Sequence, residues 1–490
     1  MKRLVSVVLM AGAACSGASI ASDGGGVAAH PQVRGALSLL DRWIDAHQIY
    51  QSVPGVSVGV VLDQELIWSK AYGLANVERR QATRVDTIYS ICSISKLFTG
   101  IAVMQERDAG RLQLDDPVAD HLDWFDIEQA HGGSGAITVR SLLNHSSGLP
   151  RESIDPYWNP DYPFPSREAL IQGLAGQQTL YPTETYFQYS NLALTLAGEV
   201  AAAASGRSYG ELVQERILTP LRLDDTRPHL PKDLHGTAMA IGYSARGRDG
   251  ERFIEPPFDT AGVTPAAGFT SNVPDLAAFA AWQFRLLDGE QRADVEVLKP
   301  STLREMQRVH WIDPDWETTW GLAFSVQKVE EDTLVGHGGS CPGYTTAFTT
   351  MPKHKLAVIV LMNANGVEPF LVARNAYKVL GPALEKAGED DEAANAPNFS
   401  EFEGLYHNRP WSSEIAIVQQ GDRLLVADLP SRDLTEDLTK LEREDGDVFR
   451  RVREKDDDLG ERWTFTRDEG GRVTGVAFHG VRLTRVRSGP

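Results

Sequence analysis

Cysteine is scarce in this chain, with three in 490 residues, at positions 15, 92 and 341. So few thiols exclude a disulfide-stapled scaffold. The twelve histidines are scattered, and no His-Glu-x-x-His run or Cys-x-x-Cys pair gives a zinc signature. Basic charge is in short supply too. Against 67 Asp and Glu there are 48 Lys and Arg, a formal charge of −19, which repels phosphate backbones and argues against nucleic acid as a partner. After the first twenty residues no apolar run reaches the length that spans a bilayer. Nor does any glycine pattern suit a phosphate loop or a dinucleotide. Whatever chemistry the chain performs must come from side chains, with no metal and no cofactor.

What is present begins with a leader. Met1-Lys2-Arg3 is a charged start, residues 4–14 are apolar and Ser19-Ile20-Ala21 offers small residues for cleavage, so 1–21 is expected to be a signal peptide for the periplasm or beyond. Hydrophobic residues make up 42% of the chain, enough for a full core and a second unit. Val33, Ala36, Leu37, Leu40, Trp43 and Ile44 fall at helical spacing. Residues 58–62 and 66–71 read as a hairpin around Asp63-Gln64-Glu65, and 356–362 as a buried strand. Residues 386–398 are rich in Glu, Asp and Ala and read as a linker. Strand signals at 415–418, 424–427, 463–466 and 473–478 then predict a small β domain over 399–490.

Three short patterns carry chemistry. Ser93-Ile94-Ser95-Lys96 opens an apolar-periodic stretch that Gly110 closes, so the spacing predicts a helix with Ser93 in its first turn. There Ser and Lys share one face, and the helix's unpaired N–H groups favour an alkoxide. Ser325-Val326-Gln327-Lys328 has the same spacing but reads as a strand, where positions three apart point to opposite faces. Tyr189-Ser190-Asn191 precedes a second helix, where a phenol can relay a proton and an amide can hold a substrate. Tyr157-Trp158-Asn159 and Tyr406-His407-Asn408 match that pattern as well. His337-Gly338-Gly339 lies among strand residues, where glycines let a substrate backbone come close; His131-Gly132-Gly133 repeats it in a Gly-rich loop.

In their order, Ser93-x-x-Lys96, Tyr189-x-Asn191 and His337-x-Gly339 resemble the serine β-lactamase and penicillin-binding-protein family, in its class C and D-peptidase branch. Leu114-Asp115-Asp116-Pro117, Leu142-Leu143-Asn144-His145-Ser146-Ser147-Gly148-Leu149-Pro150, Ala267-Gly268-Phe269-Thr270-Ser271 and Trp320-Gly321-Leu322 are similar to it too. The resemblance implies an α+β fold over 33–385, an antiparallel sheet flanked by helices with an all-helical segment across a cleft, and a lipocalin-like barrel after it. It implies that Ser93 is acylated, that Lys96 is its base and that Tyr189 passes the proton to the leaving group. Asn191, His337, Gly339 and Ser340 would contact substrate, and the N–H of Ser93 with one near Ser340 would form the oxyanion hole.

Most β-lactamases of the family begin the third pattern with Lys, whereas this chain has His337. That resembles D-alanyl-D-alanine peptidases, D-aminopeptidases and related esterases, and implies an exported serine hydrolase of D-amino-acid peptides, amides or esters. A carboxylesterase with weak β-lactam turnover and a non-catalytic assembly module of the same fold are the alternatives. A homo-oligomer is compatible with either. If both patterns line one cleft, the sulfurs of Cys92 and Cys341 come close enough for a disulfide in an oxidising compartment. The loops 151–166 and 242–265 would set specificity.

Overall fold

The computed structural model describes residues 26–153, 157–290, 296–329, 331–389, 397–411, 413–436 and 438–486. The expected leader lies outside these residues, as do positions 390–396 of the expected linker.

The central sheet has nine antiparallel strands. The hairpin expected near the N-terminus is formed by Gly55–Leu62 and Glu65–Asn76. Gly55–Leu62 pairs on its other side with Leu356–Met362, Val58 lying opposite Val360. Tyr344–Met351, Asp332–Cys341 and Ser325–Val329 continue the sheet. Strands from both ends of the unit thus meet in the middle, where a polar residue would have no water on either face. This is why Leu356–Met362 is uninterruptedly apolar and wholly buried.

The helical segment is built around Ser95–Asp108, which ends at Ala109. Gly110 follows with φ +73°, the left-handed residue that stops a helix. Leu97, Phe98, Ile101, Ala102 and Met104 are fully buried. Phe98 stacks on Phe269 at 5.0 Å and on Phe279 at 4.8 Å. The stack joins this helix to Val273–Leu287. Asn191–Ser205 packs alongside, its N-terminus capped by the Ser190 hydroxyl accepting from the Ala193 N–H at 2.9 Å.

The contacts divide the chain differently from the expected boundaries. Residues 48–377 form one compact unit, while the described residues of 24–47 and 378–490 form the other. Trp43, expected in the first helix of the catalytic unit, donates from its indole to the Ser431 carbonyl at 3.1 Å. Gly35 leaves room for the Gln419 carbonyl, which a Cβ would meet at 2.4 Å. Helicity also extends further than expected: Pro369–Glu389 is one helix, so 386–389 is not linker. Lys386, Ala387 and Glu389 are good helix formers, which outweighs Gly388 and the lack of an apolar face.

The C-terminal strands close into an eight-stranded barrel. Its interior is filled by side chains. Phe402 lies 4.7 Å from Phe465 and 5.1 Å from Phe449, with Tyr406, Ile417, Leu424 and Val476 fully buried around them. Eight strands enclose about the volume that such side chains occupy.

Candidate active site

The chain reaches the nucleophile through a tight turn. Cys92 has φ +50°, a left-handed conformation that costs an L-residue about 1–2 kcal/mol. The residue is braced by a disulfide to Cys341, with Cα atoms 5.7 Å apart, as the juxtaposition of the two patterns implied. Cys92–Ile94 is a 3₁₀ turn, and the α-helix proper begins at Ser95. Ser93 therefore sits one step ahead of the expected first α-helical turn. Ser95 ties the turn to the neighbouring chain: its hydroxyl donates to the Cys92 carbonyl at 2.5 Å and accepts from the Phe269 N–H at 3.0 Å.

Lys96 is fully enclosed. Its Nζ lies 3.1 Å from Ser93 Oγ, 2.8 Å from Asn191 Oδ1 and 2.7 Å from the Ala266 carbonyl. Burial holds its pKa well below the usual lysine value; Glu152 opposes that shift and Arg151 adds to it. A neutral amine has two N–H groups and one lone pair. Both carbonyl oxygens can only accept, so they take the two N–H groups. The lone pair is left facing the Ser93 hydroxyl, which is the arrangement a general base requires.

Asn191, expected at the substrate, is also held by bonds within the protein. Its amide NH₂ donates to Glu152 Oε1 at 2.8 Å, which fixes its carbonyl toward Lys96. Glu152 also accepts from the Tyr157 phenol. Tyr157, a bystander by sequence, thus reaches the site at one remove. Tyr406 lies in the barrel core, where its phenol donates to the Phe402 carbonyl at 2.7 Å.

Tyr189 is half-buried, and burial raises the pKa of its phenol while the nearby Ser93 lowers it. Lys96 Nζ lies 5.0 Å from its ring centre, as does the guanidinium carbon of Arg151. The His145 ring lies 4.4 Å from the Tyr189 ring, tilted by 33°. His145 also takes the Ser190 N–H on Nδ1 at 3.1 Å, and its carbonyl takes the Gln188 N–H at 2.8 Å. The Asn144-His145 phrase is therefore a scaffold for the tyrosine loop. Burial, then the nearby Lys96, keeps His145 neutral.

His337 stands on Asp332–Cys341, 6.1 Å from the Tyr189 ring and 5.4 Å from Trp320. It is buried, with Nδ1 2.5 Å from the Gly338 carbonyl and Nε2 unpartnered within the protein. Burial and then Lys96 push its pKa down to about 3. It is a neutral imidazole. Gly339 is needed for packing as well: a Cβ there would meet the Ile91 carbonyl at 2.2 Å. The strand is pressed against the backbone that leads to the nucleophile. Ser340 is exposed beside the disulfide, in register with Thr345.

Ser325 and Lys328 lie in the strand Ser325–Val329, Ser325 opposite Gly336 and Lys328 opposite Thr333. Sequence reasoning had not singled out Arg151, Glu152 or the Ala266 carbonyl as members of the site. Among the described residues no cluster could hold a metal ion, and no helix is long and apolar enough to cross a membrane.

Comparison with known proteins places this geometry. The family model described as Beta-lactamase matches residues 40–381. A curated relative, the Unguisins hydrolase ungD' of Aspergillus campestris, is 25% identical over 71% of this chain; the match spans 64% of that protein's own length, under two thirds. Among solved structures, the octameric penicillin-binding protein homologue from Pyrococcus abyssi superposes with a TM-score of 0.62 at 25% identity, covering 92% of this chain and 100% of that one. A D-stereospecific amidohydrolase from Streptomyces sp. gives 0.57 at 24% identity, covering 69% and 97%.

Proposed function

The chain belongs to the beta-lactamase family, and on that premise we propose that it is a serine hydrolase that cleaves D-amino-acid peptides, or related amides and esters, through an acyl-enzyme on Ser93. The observation that carries this reading is the enclosure of Lys96, with its lone pair left for Ser93 Oγ at 3.1 Å. Lys96 takes the hydroxyl proton as Oγ attacks the substrate carbonyl. The tetrahedral oxyanion forms against the N–H of Ser93 and one near Ser340. The leaving group departs with a proton from Tyr189, which regains one from the Lys96 ammonium. Water then hydrolyses the ester by the same steps reversed. A base and an oxyanion hole of this kind each contribute about a hundred-fold or more.

The D-amino-acid preference draws on the likeness to a D-stereospecific amidohydrolase, and hydrolysis of an amide on the relative named a hydrolase. An octameric homologue supports a homo-oligomer, and the leader pattern supports export. The carboxylesterase reading is favoured by one feature, the neutral His337, which brings no charge to a substrate carboxylate.

Rates on a pair of D- and L-aminoacyl p-nitroanilides and on short acyl p-nitrophenyl esters separate these readings. The D-anilide should exceed its L-enantiomer in kcat/KM by at least about tenfold, the equivalent of ~1.4 kcal/mol. Turnover of the esters alone would make the protein a carboxylesterase.

A further inference from the structure

We infer that Arg151 anchors a carboxylate on the leaving-group side of the substrate, supplying the positive charge that the third pattern lacks. The inference rests on the acyl-enzyme reading of Ser93 and deepens it, since it makes the preferred substrate a peptide or amide with a free C-terminal acid.

The backbone that carries Arg151 is fastened to the second pattern. The Pro150 carbonyl accepts from the Ser190 hydroxyl at 2.6 Å. The Arg151 carbonyl accepts from the N–H groups of Asn191 at 2.8 Å and Leu192 at 3.2 Å, two of the donors that a helix start leaves unpaired. The side chain is held as well. Its guanidinium carbon lies 5.0 Å from the centre of the Tyr189 ring, a favourable distance for a cation over an aromatic face. Its Nε lies 3.3 Å from Glu152 Oε1, and 59% of the side chain remains exposed. The two Nη groups have no partner among the described residues. Their edge of the fork matches a carboxylate with two parallel hydrogen bonds.

Position decides which part of the substrate this edge meets. Lys96 Nζ stands between Ser93 Oγ at 3.1 Å and the Tyr189 ring, whose centre is 5.0 Å away, so Tyr189 flanks the nucleophile where the departing group collects its proton. An acid held by a guanidinium against the Tyr189 ring therefore belongs to the departing group. The other groups near the nucleophile cannot take this role. Lys96 is enclosed, with both carbonyls and Ser93 around its nitrogen. His337 is buried and neutral. Glu152 is already engaged by Asn191, Tyr157 and the Nε of Arg151, which leaves the Nη edge of the fork for a substrate acid.

The test compares a D-aminoacyl-D-alanine peptide with its C-terminal carboxamide, using the full chain, Arg151→Gln and Arg151→Lys. The unaltered protein should prefer the acid in kcat/KM by about ten- to a hundred-fold, the range for hydrogen bonds to a charged group. Arg151→Gln should bring the acid-to-amide ratio close to one, and Arg151→Lys should restore part of it. The ratio should also fall as salt is raised, because the guanidinium is exposed. An equal rate on both peptides in the unaltered protein would overturn the inference. So would a ratio that survives Arg151→Gln, even if both rates fall, since Arg151 would then be only structural. If Ser93 is acylated by an ester but neither peptide is turned over, the carboxylate anchor fails and the acyl-enzyme stands. Absence of any adduct on Ser93 would remove the reading beneath it.

Discussion

Lys96→Met is expected to lower kcat/KM by about a thousand- to ten-thousand-fold, the contribution of a positioned general base, with the fold retained. The methionine nearly matches the lysine stem in volume and carries no charge, so it suits an enclosed site better than the ammonium it replaces. In the unaltered protein the rate should follow the neutral amine: kcat/KM rises with pH through the depressed pKa of Lys96, well below the ordinary lysine value of about 10.4. Stability carries the same signature. Below the depressed pKa both folded and unfolded chains hold the proton, and the folded one bears the full burden of a buried charge. Between that pKa and about 10.4 the unfolded chain binds more protons, so stability climbs with pH. Lys96→Met should remove that climb. The carbonyls of Asn191 and Ala266 lose their donor in the variant, so the slope of the urea midpoint against pH is the readout, rather than its value at any one pH. An unchanged slope would mean that Lys96 is not held neutral.

The second large effect is expected on stability. Replacing Cys92 and Cys341 by serine removes a crosslink that spans 249 residues of sequence. Chain-entropy reasoning gives about 5 kcal/mol for a loop of that length, and native disulfides contribute about 2–5 kcal/mol in practice. The urea midpoint of the 48–377 unit should fall accordingly. Acylation should slow as well, because Cys92 keeps its left-handed φ of +50° only while its surroundings enforce it. Thiol titration of unfolded, unreduced protein checks the bond directly. The full chain should show one free thiol, Cys15, and a chain shortened by the leader should show none; three thiols in the full chain would contradict the crosslink.

Much of this was readable beforehand, for reasons that differ by element. The hairpin around Asp63 and the strand Leu356–Met362 were legible because burial on one or both faces dictates a pattern of period two or a continuous apolar run. Ser93, Lys96, Tyr189 and His337 were legible through spacing and order, and the structure does bring them together. Asn191 was found, but its bond to Glu152 was not, because Glu152 is 39 residues away and no periodicity links a loop carboxylate to a helix start. Arg151 fell in a loop expected to set specificity, but nothing in the sequence distinguished it from the other residues there. The packing demand on Gly339 was not legible, because sequence shows that a side chain is missing, not what fills its place. The grouping of the first helix with the barrel rests on contacts between residues nearly 400 positions apart, such as Trp43 and Ser431, which leave no mark on local composition.

The most direct test of the acyl-enzyme is intact-mass analysis after incubation with a penicillin and, separately, with a p-nitrophenyl ester of a D-amino acid, for the unaltered chain and Ser93→Ala. One added acyl group that maps to Ser93, and no added mass on Ser93→Ala, is the expected result. An adduct or turnover that survives Ser93→Ala would contradict the assignment of Ser93 as the nucleophile and of Lys96 as its base.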